Sequence, residues 1–127
     1  MAKRVFVSFD YDYDRVLKDF LIGQARNHDS PFEVHDWSIK EPSADWRIKA
    51  RRRIRACDLA VVMCGEYTHT AEGVATELEI AQEEAIEYFL LKGYSDKVCT
   101  APVTAKASDK MYVWTWANLK LLIGGAR

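Results

Sequence analysis

The sequence predicts an α/β fold with a doubly wound, five-stranded parallel sheet in the strand order 2-1-3-4-5. Short runs of β-branched and aromatic residues alternate with longer segments of helical periodicity, which is typical of strand–helix–strand units. The run LAVVMC at Leu59–Cys64 is continuously apolar, which is typical of a central strand covered on both faces. The 127 residues, of which 49% are hydrophobic, suffice for one core, so a single domain over 1–127 is expected.

The individual strands and helices follow from these patterns. Strands are predicted at Arg4–Phe9, Phe32–Trp37, Leu59–Cys64, Tyr88–Leu91 and Met111–Trp114. Helices are predicted at about Asp12–Asn27, Ala44–Cys57, Ala71–Ala85 and Trp116–Ile123. The segment Gly93–Lys110 is rich in Ser, Thr, Lys and Pro and is predicted to be mostly loop. In such a flavodoxin-like sheet, ligands bind at the carboxyl ends of the strands, near the point where the strand order reverses.

Composition and charge exclude several classes of function. The net charge of −1 gives no whole-chain electrostatic case for binding nucleic acid or an anionic membrane. The basic segment RIKARRRIRAC, residues 47–57, lacks interleaved aromatic residues and is interpreted as a solvated helix face balanced by the acidic third helix. The cysteines form no CxxC and the histidines no HxxxH, so neither a disulfide framework nor a metal site is predicted. With no signal peptide or membrane-spanning run apparent, a cytoplasmic protein is expected.

An acidic cluster follows the first predicted strand, in RVFVSFDYDYDR. A phosphoacceptor site would also need an aspartate at the end of the third strand, where Cys64 stands. A flavin phosphate would be repelled by three aspartates within five residues, so a flavodoxin is disfavoured as well. Asp12 and Asp14 are therefore interpreted as the start of a helix, where acidic side chains are stabilised by the helix dipole. Asp10, at the end of the strand, is instead expected to border a ligand pocket.

The third predicted helix, AEGVATELEIAQEEA, singles out one glutamate. At about 100° per residue, one narrow stripe must face the sheet: Val74, Leu78, Ala81 and Ala85. Three glutamates point away from this stripe: Glu72, Glu79 and Glu83. Glu77 and Glu84 lie at its border, but Glu84 is about 10 Å further along the helix, away from the ligand-binding edge. Geometry alone therefore makes Glu77 the candidate for a functional role.

Taken together, these segments resemble the TIR domain, and most closely its small bacterial TIR-like branch of Thoeris-type antiphage defence. The matching segments, in order, are RVFVSF with its acidic continuation, FEVHDWS, ACDLAVVMCGEYT and GVATEL. The resemblance covers roughly residues 3–92, and the tail YVWTWANLKLLIGG is similar to this branch too. Two features depart from it. Gly73 and Val74 stand where many TIR domains carry an aromatic residue and a cysteine, and the loop SIKEPSADW lacks the glycine of many TIR loops.

The resemblance implies that Glu77, followed by Leu78, is the catalytic glutamate of the NAD-cleaving members. NAD is then a substrate rather than a bound cofactor, and the product is hydrolysed, cyclic or conjugated ADP-ribose. Self-association through TIR-like surfaces and a downstream effector that senses the product are the implied partners. The substrate pocket is expected at the carboxyl edge of the sheet, with these residues around it: Ser8, Phe9, Asp10, Trp37, Ser38, Trp46, Cys64 and Tyr67.

Two alternatives remain open from the sequence. A non-catalytic TIR-like module would only assemble with itself or another protein, through the basic second helix and the loop before it. A deoxyribosyltransferase-like enzyme has a related fold and also relies on a glutamate. Release of nicotinamide from NAD distinguishes the first alternative from an NAD-cleaving enzyme.

Overall fold

A computed structural model describes residues 2–40 and 44–127. The strands are β1 Lys3–Ser8, β2 Phe32–Trp37, β3 Leu59–Cys64, β4 Glu87–Lys92 and β5 Met111–Val113. The helices are α1 Arg15–Ala25, α2 Trp46–Arg55, α3 Glu72–Glu83 and α4 Trp116–Ile123, with a 3₁₀ turn at Thr68–Thr70. The segment Gly93–Lys110 forms turns and loop, as predicted. The middle of the loop SIKEPSADW, residues 41–43, lies outside the described residues.

The five strands form one parallel sheet in the order β2-β1-β3-β4-β5, which confirms the predicted fold class. Every residue of β3 is buried, as its continuous apolar run predicts. The strand order reverses between β1 and β3, because β1 has β2 on its other side while the chain continues from β3 to β4. The carboxyl ends of β1 and β3 therefore flank the crevice in which folds of this kind bind ligands.

Side chains that alternate along β1 divide the core into two layers. Val5 and Val7 pack with Leu17 of α1 and Leu119 of α4 on one face of the sheet. Phe6 packs with residues of α2 and α3 on the opposite face. Because side chains of a strand alternate with a period of two, Ser8 lies on the same face as Phe6. The last residue of β1 is therefore directed toward α3.

A bulge in the pairing of β1 with β2 changes which side chains of β2 face α3. Val5 pairs with Val34 but Phe6 pairs with Asp36, so His35 is an extra residue in β2. A bulge of this kind inverts the alternation beyond it. Val34 and Trp37 consequently pack on the same face although they are three residues apart. Ser38 thus points to the face that carries α3.

The first three helices are each shorter than predicted, and two of their ends have a visible local cause. α1 begins at Arg15 rather than Asp12, because residues 10–14 form turns in which the Asp10 carbonyl accepts from the amides of Tyr13 and Asp14. Asp14 precedes the helix, but its side chain does not cap it and is buried instead. α3 ends at Glu83, before Ala85, whose φ of 54° is left-handed. Ala85 is exposed and does not belong to the buried stripe.

Candidate functional site

The Glu77 carboxylate lies at the centre of a buried polar cluster at the carboxyl edge of the sheet. Its side chain is on the inner face of α3 and only 3% of the residue is exposed. The hydroxyl of Ser8, at the end of β1, donates to Glu77 Oε1 over 2.7 Å. The hydroxyl of Ser38, directly after β2, donates to the same oxygen over 2.6 Å. Two neighbouring strands and one helix therefore converge on a single carboxylate oxygen.

Ser38 is itself held by the backbone of β1. The amide of Phe9 donates to Ser38 Oγ over 3.1 Å. The amide of Ser38 donates to the Val7 carbonyl over 3.0 Å, which continues the β1–β2 pairing beyond the end of β2. The position of the Ser38 hydroxyl is consequently fixed by the sheet rather than by a loop.

Burial raises the pKa of Glu77 from 4.5 to about 7. The hydrogen bonds from Ser38 and Ser8 and the positive charge of Arg53 oppose this rise, because each stabilises the ionised carboxylate. Arg53, on α2, is bound to the Asp36 carboxylate and the Trp37 carbonyl. A carboxyl group that titrates near neutral pH can act as an acid, a base or a charged stabiliser of a cation.

A cavity of about 580 Å³ opens above Glu77. This volume lies within the range of pockets that hold small molecules and nucleotides. The cavity runs between the loop after β1, the loop after β2 and the first turns of α3. Its lining residues are Phe9, Asp10, Tyr11, Asp12, Tyr13, Ile39, Lys40, Trp46, Thr70, Ala71, Glu72, Gly73, Val74, Thr76 and Glu77.

The charged side chains of the cavity are mostly acidic. Among the described lining residues, Lys40 is the only cation, beside the acids Asp10, Asp12, Glu72 and Glu77. Lys40 Nζ lies 2.7 Å from Asp12 Oδ1, so this ion pair joins the loop after β2 to the loop after β1. Both side chains are more than half exposed, so the pair contributes little stability and can be exchanged at low cost for a ligand anion. Burial raises the pKa of Asp10.

Trp46 forms an aromatic wall of the cavity beside Gly73. The Trp46 indole N–H donates to the Ile39 carbonyl over 3.4 Å, which ties the first residue of α2 to the loop after β2. A Cβ atom built on Gly73 would lie 3.9 Å from the Trp46 ring. Gly73 is one turn before Glu77 on the same face of α3. Because position 73 has no side chain, nothing at that position lies between the Trp46 ring and this turn of α3.

Four of the residues predicted around the pocket line it: Phe9, Asp10, Trp46 and Glu77. Two more, Ser8 and Ser38, do not line it but contact Glu77 from behind.

Three predicted pocket residues lie elsewhere. Trp37 packs on the α1 side of the sheet, where Lys18 Nζ lies 5.1 Å from its ring centre, because the β2 bulge turned it away from α3. Cys64 is fully buried beside Val74, and this burial raises the pKa of its thiol to about 12. Tyr67 is exposed, and its ring contacts that of Tyr13 in a tilted arrangement, with 4.6 Å between the ring centres.

Several lining residues were not predicted from the sequence: Tyr11, Asp12, Tyr13, Ile39, Lys40 and the first turn of α3. Their position in the chain could have identified them, because each follows a strand at the carboxyl edge of the sheet or lies at the start of α3. Glu72, predicted to point into solvent, also borders the cavity because it begins α3 at its open end.

The basic helix α2 is paired with the acidic face of α3. Arg47 Nη2 lies 2.6 Å from Glu79 Oε1, and Arg51 Nη2 lies 2.6 Å from Glu83 Oε1. Arg55 Nε lies 2.9 Å from Glu84 Oε1. The interpretation of α2 as a solvated face balanced by α3 is thereby confirmed.

Residues 2–40 and 44–127 contain neither a candidate metal site nor a candidate membrane-spanning helix. Within them, no group of three or more His, Cys, Asp or Glu side chains is arranged to hold a metal ion. None of the helices in this part of the chain has the length and apolar character needed to cross a membrane.

Comparison with known proteins places the chain in a family. A search of curated proteins found no significant match. The sequence profile of the family described as "Thoeris protein ThsB, TIR-like domain" matches residues 6–93. The match begins within β1, ends just after β4, and contains every residue that lines the cavity as well as Ser8 and Ser38. The chain therefore belongs to the TIR-like domain family of the Thoeris protein ThsB.

Proposed function

We propose that this protein cleaves the bond between nicotinamide and ribose in NAD and forms an ADP-ribose-derived signal nucleotide in antiphage defence. The observation that carries the proposal is Glu77, a buried carboxyl group beside a cavity at the carboxyl edge of the sheet. Membership of the ThsB TIR-like family supports it. The TIR domains that this family resembles include NAD-cleaving enzymes that use a glutamate.

Glu77 would act by stabilising positive charge. Cleavage of the nicotinamide–ribose bond passes through a transition state that resembles an oxocarbenium ion, as in glycoside hydrolysis. The bonding electron pair leaves with the nicotinamide nitrogen and neutralises its positive charge, so no general acid is required. The ionised carboxylate of Glu77 stabilises the cationic ribosyl group that is left.

The fate of the ribosyl group decides the product. Attack by water forms a bond to the ribose carbon, releases one proton and gives ADP-ribose. Attack by the adenine ring of the same molecule gives a cyclic product, and attack by another nucleophile gives a conjugate. All three share the step at Glu77, so the proposal covers the class of product rather than one member.

Other cavity residues are suited to the remaining parts of NAD. Trp46 offers a flat ring on which a base can stack. Lys40, whose partner Asp12 is exposed, can instead contact the substrate's phosphates. The acidic side chains of the cavity favour the positively charged nicotinamide ring over a neutral one.

Incubation with NAD tests the proposal. Purified protein, at both low and high concentration, is incubated with NAD; nicotinamide is measured by chromatography and the second product is identified by mass spectrometry. Glu77→Gln is compared with Glu79→Gln as the matched control, because Glu79 is on the same helix but pairs with Arg47 at the surface. Release by the parent and the control but not by Glu77→Gln supports the proposal, and equal release by all three contradicts it.

A non-catalytic assembly module is the second candidate, and one observation favours it. Three large side chains are exposed along α1 and the turn before it: Tyr13 (62%), Val16 (43%) and Phe20 (60%). Val16 and Phe20 are four residues apart and so lie on one side of α1, and Tyr13 lies in the turn that precedes it. If Glu77→Gln supports antiphage defence as well as the parent does, assembly rather than catalysis is the function.

A further inference from the structure

Two buried hydroxyl groups, each with one proton to donate, form hydrogen bonds to the same oxygen of Glu77. Ser8 is 1% exposed and Ser38 is 4% exposed. Both donate to Oε1, over 2.7 and 2.6 Å, and Oε2 accepts from neither. A carboxylate has about four acceptor sites, so these bonds use those of one oxygen and leave the other for a ligand. Since Glu77 lines the cavity, a ligand reaches that second oxygen from the cavity side.

The direction of the Ser38 proton is set by the sheet. A serine hydroxyl both donates one hydrogen bond and accepts others. The Phe9 amide donates to Ser38 Oγ, so the hydroxyl accepts on that side and its proton is left for Glu77. The chain of bonds from the Phe9 amide through Ser38 to Glu77 joins β1, β2 and α3.

We propose that Ser8 and Ser38 are positioning residues that hold the Glu77 carboxylate by Oε1 and present Oε2 to the substrate. The inference rests on the proposed function for its catalytic part. Glutamate has several rotatable side-chain bonds, and two donors from neighbouring strands restrict them before substrate arrives. The same two bonds favour the ionised form, which is the form that stabilises a ribosyl cation.

Other charged groups also act on this carboxyl group. Arg53 on α2 favours its ionised form, and Asp36 on β2 disfavours it. Asp10, Asp12 and Lys40 border the cavity from the two loops, and Glu72 borders it from α3. Replacing either serine leaves all of these charges in place. A change in the titration of Glu77 in a serine variant therefore reports the lost hydrogen bond.

The test measures the titration of Glu77 directly and needs no turnover. The ¹³C resonance of its carboxyl group, identified by its loss in Glu77→Gln, is followed against pH in the parent, Ser8→Ala, Ser38→Ala and the double variant. Ser30→Ala is the matched control, because Ser30 donates to the Phe32 carbonyl at the start of β2, away from Glu77. Each single change is expected to raise the pKa of Glu77 above the parent value of about 7. A hydrogen bond to a charged group corresponds to a rise of about one unit or more.

Kinetics separate positioning from general structure. With NAD, the acidic limb of the kcat/KM profile should move to higher pH in Ser8→Ala and Ser38→Ala by the same amount as the measured pKa. The high-pH plateau of kcat should also fall, since the carboxylate is less well held, and Ser38→Thr should restore both because it keeps the hydroxyl. Ser8→Cys and Ser38→Cys keep a weaker donor on a slightly larger side chain, so they replace any alanine variant that fails to fold and should give smaller rises in the pKa of Glu77.

The outcomes distinguish this inference from the proposed function. An unchanged or lower pKa of Glu77 in folded serine variants overturns the inference even if the parent cleaves NAD. A rise in the pKa with no cleavage by the parent supports the holding of the carboxylate and contradicts the proposed function. A rate that falls by the same factor at every pH, with no shift of the acidic limb, shows a purely structural role and also overturns the inference.

Discussion

Replacing Glu77 by glutamine should make the stability of the protein less dependent on pH. In the folded protein the pKa of Glu77 is raised by burial from 4.5 to about 7. The folded state therefore binds this proton more tightly than the unfolded state does between these two values. The contribution of Glu77 to the free energy of unfolding is therefore most favourable below pH 4.5, and this advantage is lost as pH rises through about 7. Glutamine has no proton to lose, so its contribution is constant.

The size of this effect follows from the shift. A difference of about 2.5 pKa units, at 1.36 kcal/mol per unit, corresponds to about 3 kcal/mol. The free energy of unfolding of Glu77→Gln minus that of the parent should therefore rise by about 3 kcal/mol between pH 4.5 and pH 8.5. The other titrating groups are common to both proteins and cancel in this difference.

This difference in free energy of unfolding is measured by urea unfolding at several pH values, monitored by circular dichroism. Glu79→Gln serves as the control, because Glu79 is partly exposed and its variant should follow the parent within about 0.5 kcal/mol at each pH. The difference in free energy of unfolding between Glu77→Gln and the parent could instead stay constant with pH or become smaller toward pH 8.5. Either result would refute the claim that Glu77 is buried with a raised pKa.

Three further predictions follow from the same geometry. In the parent, kcat/KM for NAD should rise about tenfold per pH unit below pH 7 and level off above it, as Glu77 ionises; a profile already flat at pH 5 would contradict this. Lys40→Met should raise KM for NAD about tenfold with little change in kcat, and this loss should shrink at high salt; an unchanged KM argues against a phosphate contact. Gly65→Ala should lower the free energy of unfolding by about 1–3 kcal/mol, since its Cβ would overlap the buried carboxylate of Asp14. In Gly73→Ala the new Cβ meets nothing closer than 3.9 Å, so its free energy of unfolding should lie within about 1 kcal/mol of the parent value. A larger loss of stability in Gly73→Ala than in Gly65→Ala would contradict the packing described for these two glycines.

The strands, the helices and the burial of Glu77 could be predicted because they depend on local periodicity. The alternation of apolar runs with helical segments fixes the number and type of elements. The helical period separates Glu77 from Glu79, which lie on opposite sides of α3, one buried and the other paired with Arg47 at the surface.

The hydrogen bond from Ser38 to Glu77 could not be predicted in the same way. Strict alternation along β2 from Phe32 and Val34 would put Ser38 on the α1 side and Trp37 toward α3. The extra residue at His35 reverses this, and nothing in the local sequence marks a bulge there. The role of Ser38 thus depends on strand pairing, which brings together residues distant in the chain.

The prediction that α1 begins at Asp12 is wrong for a related reason. The helix dipole favours an acidic first turn, and this rule predicts a helix that begins at Asp12. Asp14 instead turns inward and accepts a hydrogen bond from the Tyr94 hydroxyl over 2.9 Å, while its carboxylate packs against Gly65. These partners are distant in sequence, so a local rule for helix starts does not include them.

The rate of nicotinamide release from NAD by Glu77→Gln, measured beside Glu79→Gln and the parent at one pH above 7, tests the central claim most directly. Thermal melts of all three proteins first establish that each is folded at the assay temperature. The account predicts that Glu79→Gln matches the parent, whereas Glu77→Gln is slower by about a hundredfold or more, since the charge that stabilises the ribosyl cation is gone. Equal rates for the parent and Glu77→Gln, or a loss confined to Glu79→Gln, would contradict it.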